Sequence, residues 1–175
     1  DGIPRSSIHN GGRLAFGPDA MLYVTTGDAA ETALSQRPGS LAGKVLRITP
    51  DGQVPDDNPD PTSPVYSSGH RNVQGIAWDA DGTFWASEFG ASTWDELNRI
   101  EPGKNYGWPT ISYGKHYTGR NFPSGTAKQG MEQPVYYWDP SMAPSGMAFY
   151  AGDKYPQWRG NLFAGALKFR HISRL

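Results

Sequence analysis

The chain of 175 residues reads as all-β. Alternating apolar runs flank short polar turns: Ile76-Ala77-Trp78 and Phe84-Trp85-Ala86 surround Asp79-Ala80-Asp81-Gly82, the pattern of a β-hairpin. Glycine (22) and proline (15) are abundant, aromatics reach 13%, and no long stretch carries helical periodicity, so turns and short strands must dominate. The hairpin also recurs. Leu14 through Val24 lies over Ile76 through Ala86 without a gap, and a looser third copy begins at Gly146-Met147-Ala148-Phe149-Tyr150 and returns from Asn161 to Leu167. Recurrence at roughly 60 to 70 residues is expected of the stacked sheets of a β-propeller.

The remaining strands follow from the same repeat. Gly43-Lys44-Val45-Leu46-Arg47-Ile48 precedes the turn Thr49-Pro50-Asp51-Gly52, and Asp95-Glu96-Leu97-Asn98-Arg99-Ile100 precedes Glu101-Pro102-Gly103. Each repeat is therefore expected to be a hairpin plus a third strand. Gln53 to Pro64, with Asp56, Asp57, Asp60 and a proline-rich composition, lacks the spacing of an EF-hand and is expected to be a solvated loop. A second loop is expected from Tyr113 to Gln133. Neither is a domain linker, because the repeat continues on both sides. The expectation is one unit over 1–175, a partial propeller of about three blades, since closed rings take about four to eight. Its open edges would be available for self-association. Both termini, at Asp1-Gly2-Ile3-Pro4 and Arg174-Leu175, read as cut.

Composition narrows the classes of partner. Sixteen Lys and Arg nearly balance 17 Asp and Glu, without a basic field for nucleic acid or a polybasic cluster for anionic lipid. Cysteine is absent, which removes disulfides and thiolate metal sites. No apolar run approaches the length of a membrane span.

The polar residues that matter precede the hairpins. His9 stands before the first, in Ile8-His9-Asn10-Gly11-Gly12-Arg13, and His70-Arg71-Asn72 before the second. In a propeller such strand ends converge on an axial pocket, so repeat-equivalent residues would face one ligand. Position alone leaves His9 open between a general base and a residue that bonds backbone at a strand start. Arg71 and Asn72 suit an anionic, oxygen-rich ligand or a structural bridge between blades. Asp95-Glu96 with the turn Asn105-Tyr106-Gly107-Trp108-Pro109 suits calcium or a solvated charge pair. Lys168 reads as an anion partner or a surface lysine.

Taken in order, several motifs resemble the glucose/sorbosone dehydrogenase family: His9-Asn10-Gly11-Gly12-Arg13-Leu14, Phe16-Gly17-Pro18-Asp19, Gly27-Asp28, Gly43-Lys44-Val45-Leu46-Arg47, Gly69-His70-Arg71-Asn72-Val73-Gln74-Gly75, Asp95-Glu96-Leu97-Asn98 and Asn105-Tyr106-Gly107-Trp108-Pro109. The resemblance implies a six-bladed propeller and an aldose sugar dehydrogenase dependent on pyrroloquinoline quinone (PQQ) and calcium. It implies that the aldose is oxidised to a lactone, with hydride passing to the quinone and electrons going on to an external acceptor. By motif, His9 matches the catalytic base and Arg71 the arginine beside the quinone oxygens. Asn72, Ser141 and Lys168 match polar contacts to PQQ. Gly90 and Ala91 match the carbonyls that hold the active-site calcium, and Asp95, Glu96, Tyr106 and Ser112 resemble a second, structural calcium site. Export to the periplasm or the cell exterior is implied on the same ground. Ile8 and Phe89 depart from the glucose-dehydrogenase branch, which has Asp and Gln there, and place the chain nearer the aldose branch. Two other classes compete: a calcium-dependent lactonase-like propeller, and a non-catalytic propeller scaffold.

Overall fold

A computed structural model describes residues 2–115, 118–122 and 124–175. Strands β1 (Gly11–Phe16), β2 (Leu22–Thr26), β3 (Lys44–Ile48) and β4 (Val65–Ser68) form a first antiparallel sheet in chain order. Strands β5 (Val73–Trp78), β6 (Phe84–Glu88), β7 (Asp95–Arg99) and β8 (Tyr136–Trp138) form a second, and β9 (Pro144–Phe149), β10 (Leu162–Ala166) and β11 (His171–Arg174) a third. The repeat seen in the sequence is a repeat of register. Leu14 faces Val24 and Phe16 faces Leu22 in the first hairpin; Ile76 faces Ala86 and Trp78 faces Phe84 in the second. Strand β5 touches both β1 and β9, so the first strands of the three sheets line up side by side as the inner strands of blades do.

The first two sheets have a fourth strand that the repeat did not predict. Strand β4 is four residues and β8 three, both arriving after long irregular segments, too short for alternation to register. The expected loop from Tyr113 to Gln133 contains no strand among its described residues; residues 116, 117 and 123 lie outside them, as does Asp1.

Two apolar layers hold the blades together. Tyr23, Val45, Val73, Ile76, Phe84, Ala86, Ile100 and Tyr106 fill the space between the first and second sheets, where Trp78 stacks on Phe84 at 4.5 Å. Leu97, Trp138, Met142, Leu162, Ala164 and Ala166 join the second and third sheets. Leu14 and Phe16 on β1 and Ile172 on β11 remain well exposed at the two ends of the stack.

The segment Gln53 to Pro64 is less free than its composition suggests. Although Asp56 and Asp60 are exposed, Arg47 of β3 donates from Nη1 and Nη2 to both oxygens of Asp57 at 2.7 and 3.1 Å, and from Nη1 to Asn58 Oδ1 at 3.0 Å. Nε of the same guanidinium reaches Asp19 Oδ2 at 2.9 Å, so one buried arginine ties the first hairpin turn to this loop.

Candidate active site

The polar residues singled out in the sequence gather at one end of the sheets, where β1 and β5 begin and β2 and β6 end. His9 adopts a left-handed backbone (φ 55°) immediately before β1. Its Nδ1 lies 2.7 Å from Oδ1 of Asp28, which follows β2. Asp28 is fully buried and accepts two further bonds, from Ala30 N–H to Oδ1 at 2.9 Å and from Trp108 Nε1 to Oδ2 at 2.7 Å. Burial alone would raise its pKa. The bonds from His9, Ala30 and Trp108 outweigh that penalty and hold the carboxyl below its ordinary range. An ionised Asp28 accepts the Nδ1 proton, which leaves Nε2 of His9 as the basic nitrogen. That nitrogen makes no hydrogen bond among the described residues, and the ring keeps 15% of its surface exposed. Gly27 makes the approach possible: a Cβ there would stand 1.7 Å from the His9 carbonyl oxygen.

The second blade supplies the cationic side. Arg71, 3% exposed, lies with its guanidinium carbon 5.2 Å from the centre of the Trp108 ring, and Nη1 donates to the Phe89 carbonyl at 3.3 Å. Asn72 uses its Oδ1 to accept from Gly11 N–H at 2.9 Å and from Gln74 Nε2 at 3.0 Å, while its Nδ2 has no hydrogen bond among the described residues. One carboxylate fixes this pair. Glu88, at the end of β6, accepts the backbone N–H groups of both Arg71 and Asn72 on Oε1, and His70 Nδ1 lies 2.9 Å from Oε2. His70 in turn lies 2.8 Å from Ser67 Oγ through Nε2 and stacks on Tyr106 at 4.8 Å. Ser67, His70 and Glu88 are all buried, so this chain of bonds orients backbone and is closed to substrate.

The expected calcium ligands divide into two groups. Glu96, Tyr106, Ser112 and Gly90 line one cavity of about 10 Å³ with Glu88, a space on the scale of one water or one ion. Burial first, then the neighbouring Glu88 and Asp95 charges, push Glu96 up to about 8. The Asp95 carboxylate, expected beside Glu96, leaves β7 on the opposite face, because adjacent strand residues alternate. Asp95 accepts from Gly90 N–H at 3.2 Å, Ser141 Oγ at 2.8 Å and Ala143 N–H at 2.8 Å, tying the loop before β9 to the end of β6. The Ser141 hydroxyl is thereby engaged with protein. The Ala91 carbonyl accepts Thr93 N–H at 2.6 Å. Lys168 is exposed, with Nζ 5.3 Å from the Phe169 ring centre. Among the described residues no three His, Asp or Glu side chains gather as a metal cluster.

Asp28, which bonds His9, Glu88, which bonds the Arg71 and Asn72 amides, and Trp108, which bonds Asp28, are the residues of this cluster that strand-by-strand reading passed over. A signal for the first existed: the spacing that lays Leu14 on Ile76 also lays His9 on Arg71 and Asp28 on Gly90, positions that all face the same end.

The class this defines is a propeller segment that carries, at one end, a histidine, a buried carboxylate behind it and an arginine–asparagine pair beside it. The chain belongs to the family described as Glucose / Sorbosone dehydrogenase, whose model matches residues 2–175. It is 41% identical over 172 residues to "Aldose sugar dehydrogenase YliI" of Escherichia coli (strain K12), covering 94% of this chain and 46% of that protein. It is 34% identical over 194 residues to "Quinoprotein glucose dehydrogenase B" of Acinetobacter calcoaceticus, covering 95% and 39%. Among solved structures, the PQQ-bound form of aldose sugar dehydrogenase from Streptomyces coelicolor superposes with a TM-score of 0.81 at 47% identity, over 99% of this chain and 47% of that one. A glucose dehydrogenase crystal structure superposes with a TM-score of 0.91 at 42% identity, over 99% and 54%. The chain spans less than half the length of these curated relatives.

Proposed function

We propose that this chain forms the base-bearing part of the active site of a PQQ- and calcium-dependent dehydrogenase that oxidises aldoses to lactones. The observation that carries the reading is the His9–Asp28 pair, with Nε2 of His9 left as a base beside Arg71 and Asn72. The donor set suits PQQ, a planar polyanion: Arg71 offers a guanidinium, the half-spent amide of Asn72 still offers Nδ2, and Lys168 is a second cation within reach of solvent. Ser141 is a candidate contact once its bond to Asp95 rearranges. When bound, PQQ supplies a two-electron acceptor and calcium a Lewis acid.

The chain's own residues then do the following. Nε2 of His9 takes the proton of the anomeric hydroxyl, while the ionised Asp28 holds the ring's orientation and stabilises the imidazolium that results. Arg71 balances negative charge that develops beside it. The Gly90 and Ala91 carbonyls are the candidate ligands for calcium at the axis, and Glu96, Tyr106 and Ser112 for a second calcium in the ion-sized cavity. An external electron acceptor, a periplasmic or extracellular location and association through the open sheet edges complete the proposal. A lactonase-like site would require several carboxylates around one axial metal, a grouping not found among the described residues.

The test is a titration of the purified protein with PQQ and calcium, followed by absorbance on adding an aldose. Reduction of bound quinone is expected; a folded protein that binds no PQQ would leave the scaffold reading standing. In the intact natural protein, His9→Ala should leave PQQ affinity within severalfold and lower turnover by about 10²–10⁴-fold. Lost affinity with turnover per bound cofactor preserved would remove His9 from the role of base.

A further inference from the structure

The most deeply buried cation of the first blade takes no part in the chemistry above. Lys44, at the start of β3, is 1% exposed, and its Nζ donates to three main-chain carbonyls: Leu34 at 2.9 Å, Ser35 at 3.0 Å and Ala42 at 2.9 Å. An ammonium has three donors, and all three are used. Leu34 and Ser35 belong to a short 3-10 turn, Thr32–Gln36, so the lysine satisfies carbonyls near that turn's end and draws it against Ala42.

The segment so gathered grips the residues before Arg71. Ser35 O accepts Gly69 N–H at 3.1 Å, Ser35 Oγ donates to His70 O at 2.6 Å, and His70 N–H donates to Gly43 O at 3.1 Å. The fit is close: with φ at +65°, a Cβ on Gly43 would stand 2.1 Å from Ser35 Oγ and 2.5 Å from His70 O. Without the cation the Leu34 and Ser35 carbonyls would keep one backbone donor each, from Arg37 and Gly69, and nothing would draw the three carbonyl oxygens to one point.

We propose that Lys44 is a positioning residue for Arg71 and Asn72. Its ammonium fixes the 34–43 segment, which clamps Gly69 and His70 from the first blade while Glu88 holds the Arg71 and Asn72 amides from the second. As a claim about activity this rests on the reading of Arg71 and Asn72 as PQQ-facing; the clamp itself does not.

The experiment uses the intact natural protein with Lys44→Met, which keeps the stem and removes the donors, and Ser35→Ala, which removes only the bond to His70 O. Amide hydrogen exchange and PQQ affinity are read together. In Lys44→Met the Gly69 and His70 amides are expected to exchange about tenfold faster or more while those of Ile76 and Ala86 hold, and the Kd for PQQ to rise about tenfold. In Lys44→Ala, ammonium chloride should slow that exchange again where sodium chloride does not. Unchanged exchange at Gly69 and His70, or equal acceleration at Ile76 and Ala86, overturns the proposal. Should the Lys44 variants fail to fold, Ser35→Ala decides: acceleration confined to His70 and its neighbours supports the clamp, and none refutes it. A wild-type protein that binds no PQQ defeats the functional reading alone, because the exchange result still judges the clamp.

Discussion

Replacing Asp28 by asparagine isolates the electrostatic half of the proposed base without changing its shape. The carboxylate accepts from three donors: His9 Nδ1 and Ala30 N–H on Oδ1, and Trp108 Nε1 on Oδ2. Asparagine has one acceptor oxygen. If that oxygen faces His9 and Ala30, the amide nitrogen meets the Trp108 N–H and two buried donors oppose each other. If it faces Trp108, the amide nitrogen meets Ala30 N–H and donates to His9 Nδ1, which moves the ring proton to Nε2 and leaves no base. Either arrangement leaves a buried donor unmet, at about 1–3 kcal/mol. For a chain of this size that corresponds to a Tm lower by roughly 2–12 °C. Where the flipped arrangement dominates, turnover falls by about 10²–10⁴-fold, the span of general base catalysis, while PQQ affinity holds within severalfold. The assay is single-turnover reduction of bound quinone by an aldose, with thermal melting in parallel. Unchanged Tm together with turnover within about threefold of wild type at full PQQ occupancy would refute the claim that Asp28 meets these three donors and sets the His9 tautomer.

Burial pushes the Lys44 ammonium down to about 8, against about 10.4 in an unfolded chain. Between these values the unfolded state binds the proton that the fold has released, so this group makes stability rise with pH, by about 3 kcal/mol at most, and is flat below pH 8; Lys44→Met should abolish that rise in denaturant melts at pH 7, 9 and 10.5. Chelation should lower the Tm of calcium-loaded protein, since an ion held only by the fold stabilises it by mass action, and Glu96→Gln should shrink the difference; equal shifts in both proteins would remove Glu96 from the site. Gly27→Ala places a methyl 1.7 Å from the His9 carbonyl, so turnover should fall at least about tenfold, with a near-wild-type rate counting against the proposed placement of His9.

What the sequence made legible was whatever repeats. The hairpin register, the inner strands and the residues just before them followed from one gapless overlay, because blades reuse a strand pattern and bring its ends to one axis. The braces did not repeat and were invisible for that reason. Glu88 grips main-chain N–H groups, and Lys44 grips main-chain carbonyls; every residue but proline has both, so no side-chain pattern marks the partner. Asp95 is a different case. Beside Glu96 it looks like half of a pair, but strand alternation sends neighbours to opposite faces, and a strand assignment alone would have separated them. Asp57 and Asn58 looked solvated because loop composition says nothing of an arginine arriving from β3.

The hairpin turns at Asp19-Ala20 and Asp81-Gly82 lie a full strand away from His9 and Arg71, about 17–20 Å for strands of this length. None of the bonds that brace the site passes through Asp81 or Gly82. A tether, a fluorophore or an electrode linker carried on the exposed side chain at position 81, with the left-handed Gly82 kept, would therefore leave the opposite end of the blades open to small molecules.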